Sequence, residues 1–272
     1  MQKLFLKNGY VKIRLLNIVE ADELRKKYFK FDQLHDADES VHSTADTANQ
    51  ELIEAVDFDV TKTISPKLNF VLHKYRPILG IYLIKDPGSN SFKDWHQDWS
   101  MVDETQFVSA SVWCALEDVN EYNGALRVVP GSHLFSNKPR CAPKGRENWG
   151  FKNLQYEFDK LGITIPLKAG EAVIYNHALI HSSHPNRSTE QRVAAVIGIY
   201  DEAAQLLHYY SNENSQATVY AITPQFFYQV KKHDQPEGFD VLKREVLSGN
   251  ISSPLSLKLL RLKATLQKMF IY

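Results

Sequence analysis

The stretch that is most informative about the fold is residues 107–131, which read FVSASVWCALEDVNEYNGALRVVPG. It contains two short apolar runs, 107–116 and 125–129. Asn123-Gly124 separates them, and Pro130-Gly131 closes the second. Short apolar runs bounded by Gly, Pro and Asn are typical of strands joined by turns.

The same pattern of short apolar runs extends in both directions along the chain. Further short apolar runs, bounded by turn residues such as Asp86-Pro87-Gly88 and Ala169-Gly170, occupy 78–84, 163–167, 171–175, 192–200 and 216–221. Many short strands with this punctuation indicate a sandwich or barrel. The sequence holds no βαβ repeat and no Gly-rich phosphate loop, so the nucleotide-binding α/β folds are not favoured.

The flanking regions have different patterns. Residues 10–16 alternate like a strand, while 20–30 and 47–77 read as helices, with Ser65-Pro66 as a break or a helix start. Residues 31–51 carry six acidic side chains and no Lys or Arg, which fits either a solvated loop or a mobile lid. We therefore predict one domain over 1–272, made of a helical N-terminal cap and lid (1–77), a β-rich core (78–221) and C-terminal helices (222–272).

The C-terminal segment has a basic amphipathic pattern. Its apolar stripe, at helical spacings of 4, 3, 4 and 3, consists of Leu255, Leu259, Leu262, Leu266 and Met269. Such a helix docks on its own domain, forms a homodimer interface or lies on a membrane surface. The sequence leaves these three alternatives open.

Composition excludes several classes of protein. The 272 residues carry 32 basic and 32 acidic side chains, a balance that argues against a nucleic-acid partner. Two cysteines are too few for a disulfide scaffold. No stretch reaches the ~20 apolar residues of a transmembrane segment, and the apolar run at the start is too short for a signal peptide. These features predict a cytoplasmic protein.

Residues 94–99, DWHQDW, carry the first candidate for chemistry. In an extended segment, His96 and Asp98 project to the same face. A third ligand from further along the chain, His181 or His184, would complete a 2-His-1-carboxylate set, which leaves open positions on an octahedral iron. Arg192, eleven residues after His181, has a guanidinium that can grip a carboxylate with two parallel hydrogen bonds.

Three linked motifs together resemble a known family. They are WHQD at 95–98, NGALRVVPGSH at 123–133, and HSSHPNRS at 181–188 followed by Arg192. In order and spacing, over about residues 78–200, they resemble the phytanoyl-CoA dioxygenase family of Fe(II)/2-oxoglutarate oxygenases. The resemblance implies a mainly β fold, a double-stranded β-helix (a cupin-like jelly-roll) with flanking α-helices.

The resemblance also implies residue roles. His96, Asp98 and His181 match the family's iron ligands. Arg192 matches the residue that pairs with the distal carboxylate of 2-oxoglutarate, and Ser183 matches a hydroxyl that supports it.

Two further cosubstrate contacts are less specific. Trp113 matches an aromatic side chain near the cosubstrate, although core packing explains a tryptophan there equally well. Family members often place an amide on the strand before the His-x-Asp motif. Residues 78–85 offer only Tyr82 and Lys85 in that position, and we predict Tyr82.

The reaction that the resemblance implies uses Fe(II), 2-oxoglutarate and O₂, releases succinate and CO₂, and hydroxylates an unactivated C–H of a small molecule. Related halogenases lack the carboxylate ligand, so Asp98 favours hydroxylation. The alternatives are a non-oxidative jelly-roll metalloenzyme, such as a cupin-like isomerase or a zinc hydrolase, and a non-enzymatic binding module. Arg192 discriminates between oxygenase and hydrolase, because a hydrolase needs no clamp for a 2-oxo acid.

The sequence gives two hints about the substrate. Phe92, Trp95 and Trp99 flank the His-x-Asp motif and would form an aromatic wall, unless they face the core. The loop 136–146 is basic, and Arg146 within it would receive an anionic substrate, unless the loop is simply a solvated surface.

Overall fold

The fold is built on a large antiparallel sheet. The computed structural model describes residues 1–31, 40–68, 72, 74–135, 138–142, 151–213, 216–231, 234–246, 257–258 and 261. In spatial order the strands of this sheet are β1 (Tyr10–Arg14), β8 (Glu171–Asn176), β5 (Ser109–Ala115), β10 (Arg192–Asp201), β3 (Tyr75–Lys85) and β2 (Val41–Ser43).

Two smaller sheets complete the β structure. One has the order β4 (Lys93–His96), β9 (His181–Ser183), β6 (Leu126–Val128) and β7 (Ile163–Ile165). The other has the order β11 (Leu207–Glu213), β12 (Gln216–Ala221) and β13 (Val241–Val246).

The core between the large sheet and the four-stranded sheet is apolar. Trp113 and Val173 of the large sheet pack in one buried cluster with Val128 and Ile165 of the smaller one. Two sheets that bury their inner faces against each other form a sandwich. The predicted mainly β jelly-roll core is confirmed, and the predicted strands at 107–116, 125–129, 171–175, 192–200 and 216–221 all form.

Helices cover the outer face of the large sheet: α1 (Gln2–Asn8), α2 (Ile18–Lys30) and α3 (Gln50–Leu68). The α2 helix begins at a capping box in which Asn17 accepts from the backbone N–H of Glu20, and the Glu20 carboxylate accepts from that of Asn17. In α3, Val56, Val60 and Ile64 recur every four residues and are buried on the sheet.

A glycine sets the distance between α3 and the sheet. A Cβ atom on Gly80 of β3 would lie 2.9 Å from Val60 Cβ, closer than carbon atoms pack. The backbone N–H of Gly80 also donates to Asp57 Oδ1 at 2.6 Å. The helix therefore approaches this strand where the strand has no side chain.

The structure corrects the predicted N-terminal boundary. β1 is the predicted strand at 10–16, but it pairs with β8 in the large sheet, so it belongs to the core. β3 begins at Tyr75 within the region predicted as helix, and α3 runs through Pro66 to end at Leu68.

Helix α4 (Gln155–Leu161) precedes β7. The structure corrects the predicted C-terminal helices over 241–246, which form a strand, β13, that pairs with β12. Residues 226–229 form a single helical turn, α5 (Phe226–Gln229), and residues 257–258 and 261 are also helical. The five residues of the amphipathic stripe lie outside the described residues, so its helix and its dimer role stay predictions. Among the described residues, no helix combines the length and the apolar character needed to cross a membrane.

Candidate active site

The register between two short strands brings the predicted metal ligands together. β4 and β9 are antiparallel, with Lys93 opposite Ser183 and His96 opposite His181. Regular pairing would put Trp95 opposite His181, so an irregularity in β4 re-aims the histidine. The Oδ1 atom of Asp98 lies 4.0 Å from His96 Nε2 and 3.7 Å from His181 Nε2.

The three candidate ligand atoms lie within 4.8 Å of one another, and backbone contacts orient both imidazoles. His96 Nδ1 donates to the carbonyl of Asp94 at 2.7 Å, and His181 Nδ1 donates to that of Leu179 at 2.9 Å. The Nε2 lone pairs are therefore free to bind a cation. Burial, with the neighbouring His181, lowers the pKa of His96 to about 3, so this imidazole is neutral.

Asp98 is held ionised by its surroundings. Burial opposes its charge, but His181, His177, His96 and Arg140 outweigh burial and keep the pKa of the carboxyl below its ordinary value. Ser111 Oγ donates to Asp98 Oδ2 at 3.4 Å. The site thus offers two imidazole nitrogens and one carboxylate, the donor set that iron takes in facial-triad sites.

Arg140 anchors the backbone at Asp98. Its Nε donates to the Asp98 carbonyl at 2.5 Å, and its two terminal nitrogens donate to the Glu104 carboxylate at 2.6 and 2.5 Å. Both side chains are buried. The sequence placed Arg140 in a basic surface loop, and only the tertiary structure shows that it holds the loop carrying Asp98.

Arg192 lies at the start of β10 and lines the same cavity as the three ligands. Its side chain is nearly inaccessible, with 2% of the residue exposed. Its guanidinium carbon lies 5.0 Å from the centre of the Trp113 ring. Among the described residues, Arg192 Nε and Nη1 have no hydrogen-bond partner. Burial lowers the pKa of Arg192 to about 10, although the Glu117 carboxylate opposes that shift. A charged guanidinium therefore lines the cavity with two donor nitrogens unpaired among the described residues, which is costly unless an acceptor binds there.

Lys85 and Ser183 flank this guanidinium. Lys85 lies opposite Arg192 in the pairing of β3 with β10. Its Nζ donates to Ser183 Oγ at 2.6 Å and to the carbonyl of His184 at 2.5 Å. Burial, together with Arg192 and Lys93, lowers the pKa of Lys85 to about 6.

The prediction of Tyr82 as the cosubstrate contact on β3 is wrong. Its hydroxyl donates to the carbonyl of Leu24 at 3.0 Å, and its ring packs in the cluster beneath the helices. Side chains alternate between the faces of a strand. Tyr82 and Lys85, three residues apart, therefore face opposite ways, and Lys85 is the polar group that reaches the cavity.

The three aromatic residues predicted to form a wall beside the metal ligands lie in different places in the structure. Trp99 lines the cavity. Trp95, adjacent to His96, points the other way, where it packs on Phe158 and its Nε1 donates to Asp159. Phe92 is 52% exposed and does not line the cavity. The wall prediction is wrong for Trp95 and Phe92, and Arg146 lies outside the described residues.

The cavity has a volume of about 350 Å³, and Val41, His42, Ser43, Ala45 and Asp46 contribute to its lining. Those residues, β2 and the short helical turn after it, belong to the segment predicted as a loop or lid. Residues 32–39 of that segment lie outside the described part of the chain, so the lid stays a prediction. His208 and Lys85 also line the cavity. His208 was missed because it stands alone in the sequence, with no second ligand or motif around it.

Comparison with known proteins identifies the relatives of this chain. Residues 8–194 match the family model described as Phytanoyl-CoA dioxygenase (PhyH). The chain is 34% identical over 123 residues to the human "Phytanoyl-CoA dioxygenase, peroxisomal", which is 42% of this chain and 36% of that protein. It is 32% identical over 142 residues to "Phytanoyl-CoA dioxygenase domain-containing protein 1" of Danio rerio, 48% of each chain. The matched regions thus span between a third and a half of these relatives.

A solved structure supports the fold. The non-heme alpha ketoglutarate dependent carbocyclase SnoK from nogalamycin biosynthesis superimposes with a TM-score of 0.58 at 20% identity. The superposition covers 89% of this chain and 95% of that one. The likeness shows a shared architecture.

Proposed function

Since the chain belongs to the phytanoyl-CoA dioxygenase family, we propose that it is an Fe(II)- and 2-oxoglutarate-dependent dioxygenase that hydroxylates an unactivated C–H of a small molecule, with release of succinate and CO₂. One observation carries the proposal. The buried guanidinium of Arg192, with Nε and Nη1 unpaired among the described residues, lines the same cavity as a 2-His-1-carboxylate cluster.

The cluster fits an iron ion in its chemistry. His96, Asp98 and His181 offer two imidazole nitrogens and one carboxylate oxygen, with both Nδ1 positions already engaged by backbone carbonyls. When bound, iron would supply the activation of O₂. The protein holds the ligand atoms in position before the metal binds.

The other end of the cavity fits a dicarboxylic 2-oxo acid. Arg192 offers two free donors, and Lys85 and Ser183 lie beside it. These groups would hold the distal carboxylate, while Trp113 closes the wall beneath the guanidinium. An arginine is suited to this because its fork matches the two oxygens of a carboxylate. A hydrolase or an isomerase has no use for such a clamp.

Calorimetric titration of 2-oxoglutarate into Mn(II)-loaded protein tests the proposal without turnover. We expect one binding site per chain and at least tenfold weaker binding without the metal. Succinate, which lacks the keto group, serves as the control and should gain much less from the metal. A protein that binds Mn(II) but shows no metal-dependent gain for 2-oxoglutarate would instead support the non-oxidative metalloenzyme.

A further inference from the structure

His208 is a buried polar group of the cavity that the proposed chemistry does not use. It lies on β11, is 4% exposed, and lines the same cavity as the ligand cluster. Its imidazole packs against aromatic rings, with centroid distances of 4.8 Å to Phe226 and 6.1 Å to Trp99. No group among the described residues hydrogen-bonds to it.

The surroundings of His208 are apolar and carry no counter-charge. Phe226 belongs to a hydrophobic cluster with Ile78, and Trp99 and Met101 pack against that cluster. Burial lowers the pKa of His208 to about 4, with no charged neighbour contributing. The imidazole is therefore neutral at pH 7 and offers one N–H donor and one acceptor nitrogen.

The buried basic side chains of the cavity lie on strands other than β11, and none of them affects the pKa of His208. Lys85 and Arg192 are paired at the proposed cosubstrate end, and Lys93 lies opposite Ser183 at that same end. Lys231, the remaining lysine of the lining, is exposed. A charged group placed beside His208 would lose its hydration without gaining a partner, which is costly. A ligand with one neutral polar group on an apolar framework would hydrogen-bond to the imidazole and pack against the aromatic side chains.

We propose that His208, Trp99 and Phe226 form the subsite for the oxidised substrate, and that this subsite takes an uncharged, apolar ring system bearing one hydroxyl or carbonyl group. The inference rests on the proposed function, because it assigns the part of the cavity lined by Arg192 and Lys85 to 2-oxoglutarate. It differs from the anionic substrate predicted from the basic loop, whose Arg146 lies outside the described residues.

Three probes with one ring system separate the contributions. 1-Naphthol carries a neutral hydroxyl, naphthalene carries none, and 1-naphthoate carries a charge at pH 7. Titration calorimetry under anaerobic conditions, on protein loaded with Fe(II) and 2-oxoglutarate, gives a dissociation constant for each. We expect 1-naphthol to bind about fivefold more tightly than naphthalene, the effect of one neutral hydrogen bond. We expect 1-naphthoate to bind at least tenfold more weakly than 1-naphthol.

Variants assign the preference to the imidazole. In His208→Phe, which keeps an aromatic ring against Phe226 and Trp99, the preference for 1-naphthol over naphthalene should disappear. In His208→Gln, which keeps a hydrogen-bonding group, part of it should remain. Phe92→Ala, outside the cavity, is the control and should leave all three constants unchanged. Circular dichroism checks that each variant is folded.

Three results would overturn the assignment: tightest binding of 1-naphthoate, a 1-naphthol preference that survives His208→Phe, or no binding of 1-naphthol at millimolar concentration. Repeating the titrations without 2-oxoglutarate separates this inference from the proposed function. If 2-oxoglutarate does not bind but the probe preferences are unchanged, the subsite assignment is retained and the proposed reaction class is rejected.

Discussion

Arg192 and Lys85 occupy directly paired positions on β10 and β3, so two basic side chains share one buried end of the cavity. Arg192 is one of the causes that lower the pKa of Lys85, after burial itself. Protonating an amine beside a buried guanidinium is unfavourable unless an anion joins them. The pair therefore has the properties of a carboxylate site, and it gives the first two predictions.

Replacing Arg192 should weaken 2-oxoglutarate binding strongly. Removing one partner of a desolvated charge pair costs ~2–5 kcal/mol, which corresponds to roughly thirty- to several-thousand-fold in Kd at ~1.4 kcal/mol per decade. Arg192→Ala should show this loss in calorimetry of the metal-loaded protein. Arg192→Lys keeps the charge but not the fork, and should recover only part of the affinity. An unchanged Kd in Arg192→Ala would mean that the clamp is elsewhere, with Arg187 as the next candidate.

Binding of 2-oxoglutarate should be coupled to proton uptake by Lys85. The pKa of this amine in the free protein is about 6, so it is largely neutral at pH 7.5. A carboxylate beside it favours the charged form and raises the pKa. Above pH 6 the complex thus holds more protons than the free protein, and affinity should fall as pH rises, by at most about tenfold per pH unit.

Calorimetry at pH 7.5 in buffers of different ionisation enthalpy measures this uptake directly. The wild-type protein should take up as much as one proton per 2-oxoglutarate bound. Lys85→Met, which keeps the length of the side chain without the amine, should take up markedly less. Equal uptake in the two proteins would assign the proton to another group.

Breaking the contact between Arg140 and the Asp98 backbone should reduce metal affinity. Residues that hold metal ligands in place typically contribute 10–100-fold to metal affinity or activity, so Arg140→Met should lose about that much in Fe(II) binding, measured by chelator competition. The substitution also leaves Glu104 buried without its partner, which is destabilising.

The double variant Arg140→Met/Glu104→Gln separates the two effects. It removes the unpaired charge and should recover stability, while the loss of Fe(II) affinity persists. Fe(II) affinity that returns together with stability would show that Arg140 acts only on the fold.

The close approach of α3 to β3 should make Gly80 intolerant of a side chain. In Gly80→Ala the new Cβ would meet Val60 Cβ at 2.9 Å, and overpacking of this kind costs ~1–3 kcal/mol. Urea unfolding should show this loss in the free energy of unfolding. Because the closest clash is with Val60 Cβ, the double variant Gly80→Ala/Val60→Gly should be more stable than the sum of the single losses predicts. Strict additivity would contradict the packing explanation.

Much of the fold and the metal site was predictable because the evidence is local. Turn residues bound each strand, so the run at 171–175 appears as a strand at 171–176. The His-x-Asp spacing places two ligands on one face. The alternation of a strand also requires Trp95 to point away from its neighbour His96, a consequence that the aromatic-wall prediction overlooked.

The rest depended on tertiary structure. The run at 78–84 is continuously apolar because both faces of β3 are covered, by the helices on one side and the cavity on the other. Such a run has no alternation from which to read the faces, so the choice between Tyr82 and Lys85 could not be made from sequence. His208 reaches the cavity only because β11 packs beside it, and nothing in the residues around it indicates that.

The most direct test of the central claim, that metal and 2-oxoglutarate share this cavity, is the visible absorption of Fe(II)-loaded protein under anaerobic conditions before and after 2-oxoglutarate is added. We predict a weak charge-transfer band that appears with 2-oxoglutarate and is lost in His96→Ala. In Arg192→Ala the band should require at least thirtyfold more 2-oxoglutarate, about the lower end of the loss expected for a desolvated charge pair. Folded, iron-loaded wild-type protein that gives no band would contradict the account and favour a non-oxidative metalloenzyme.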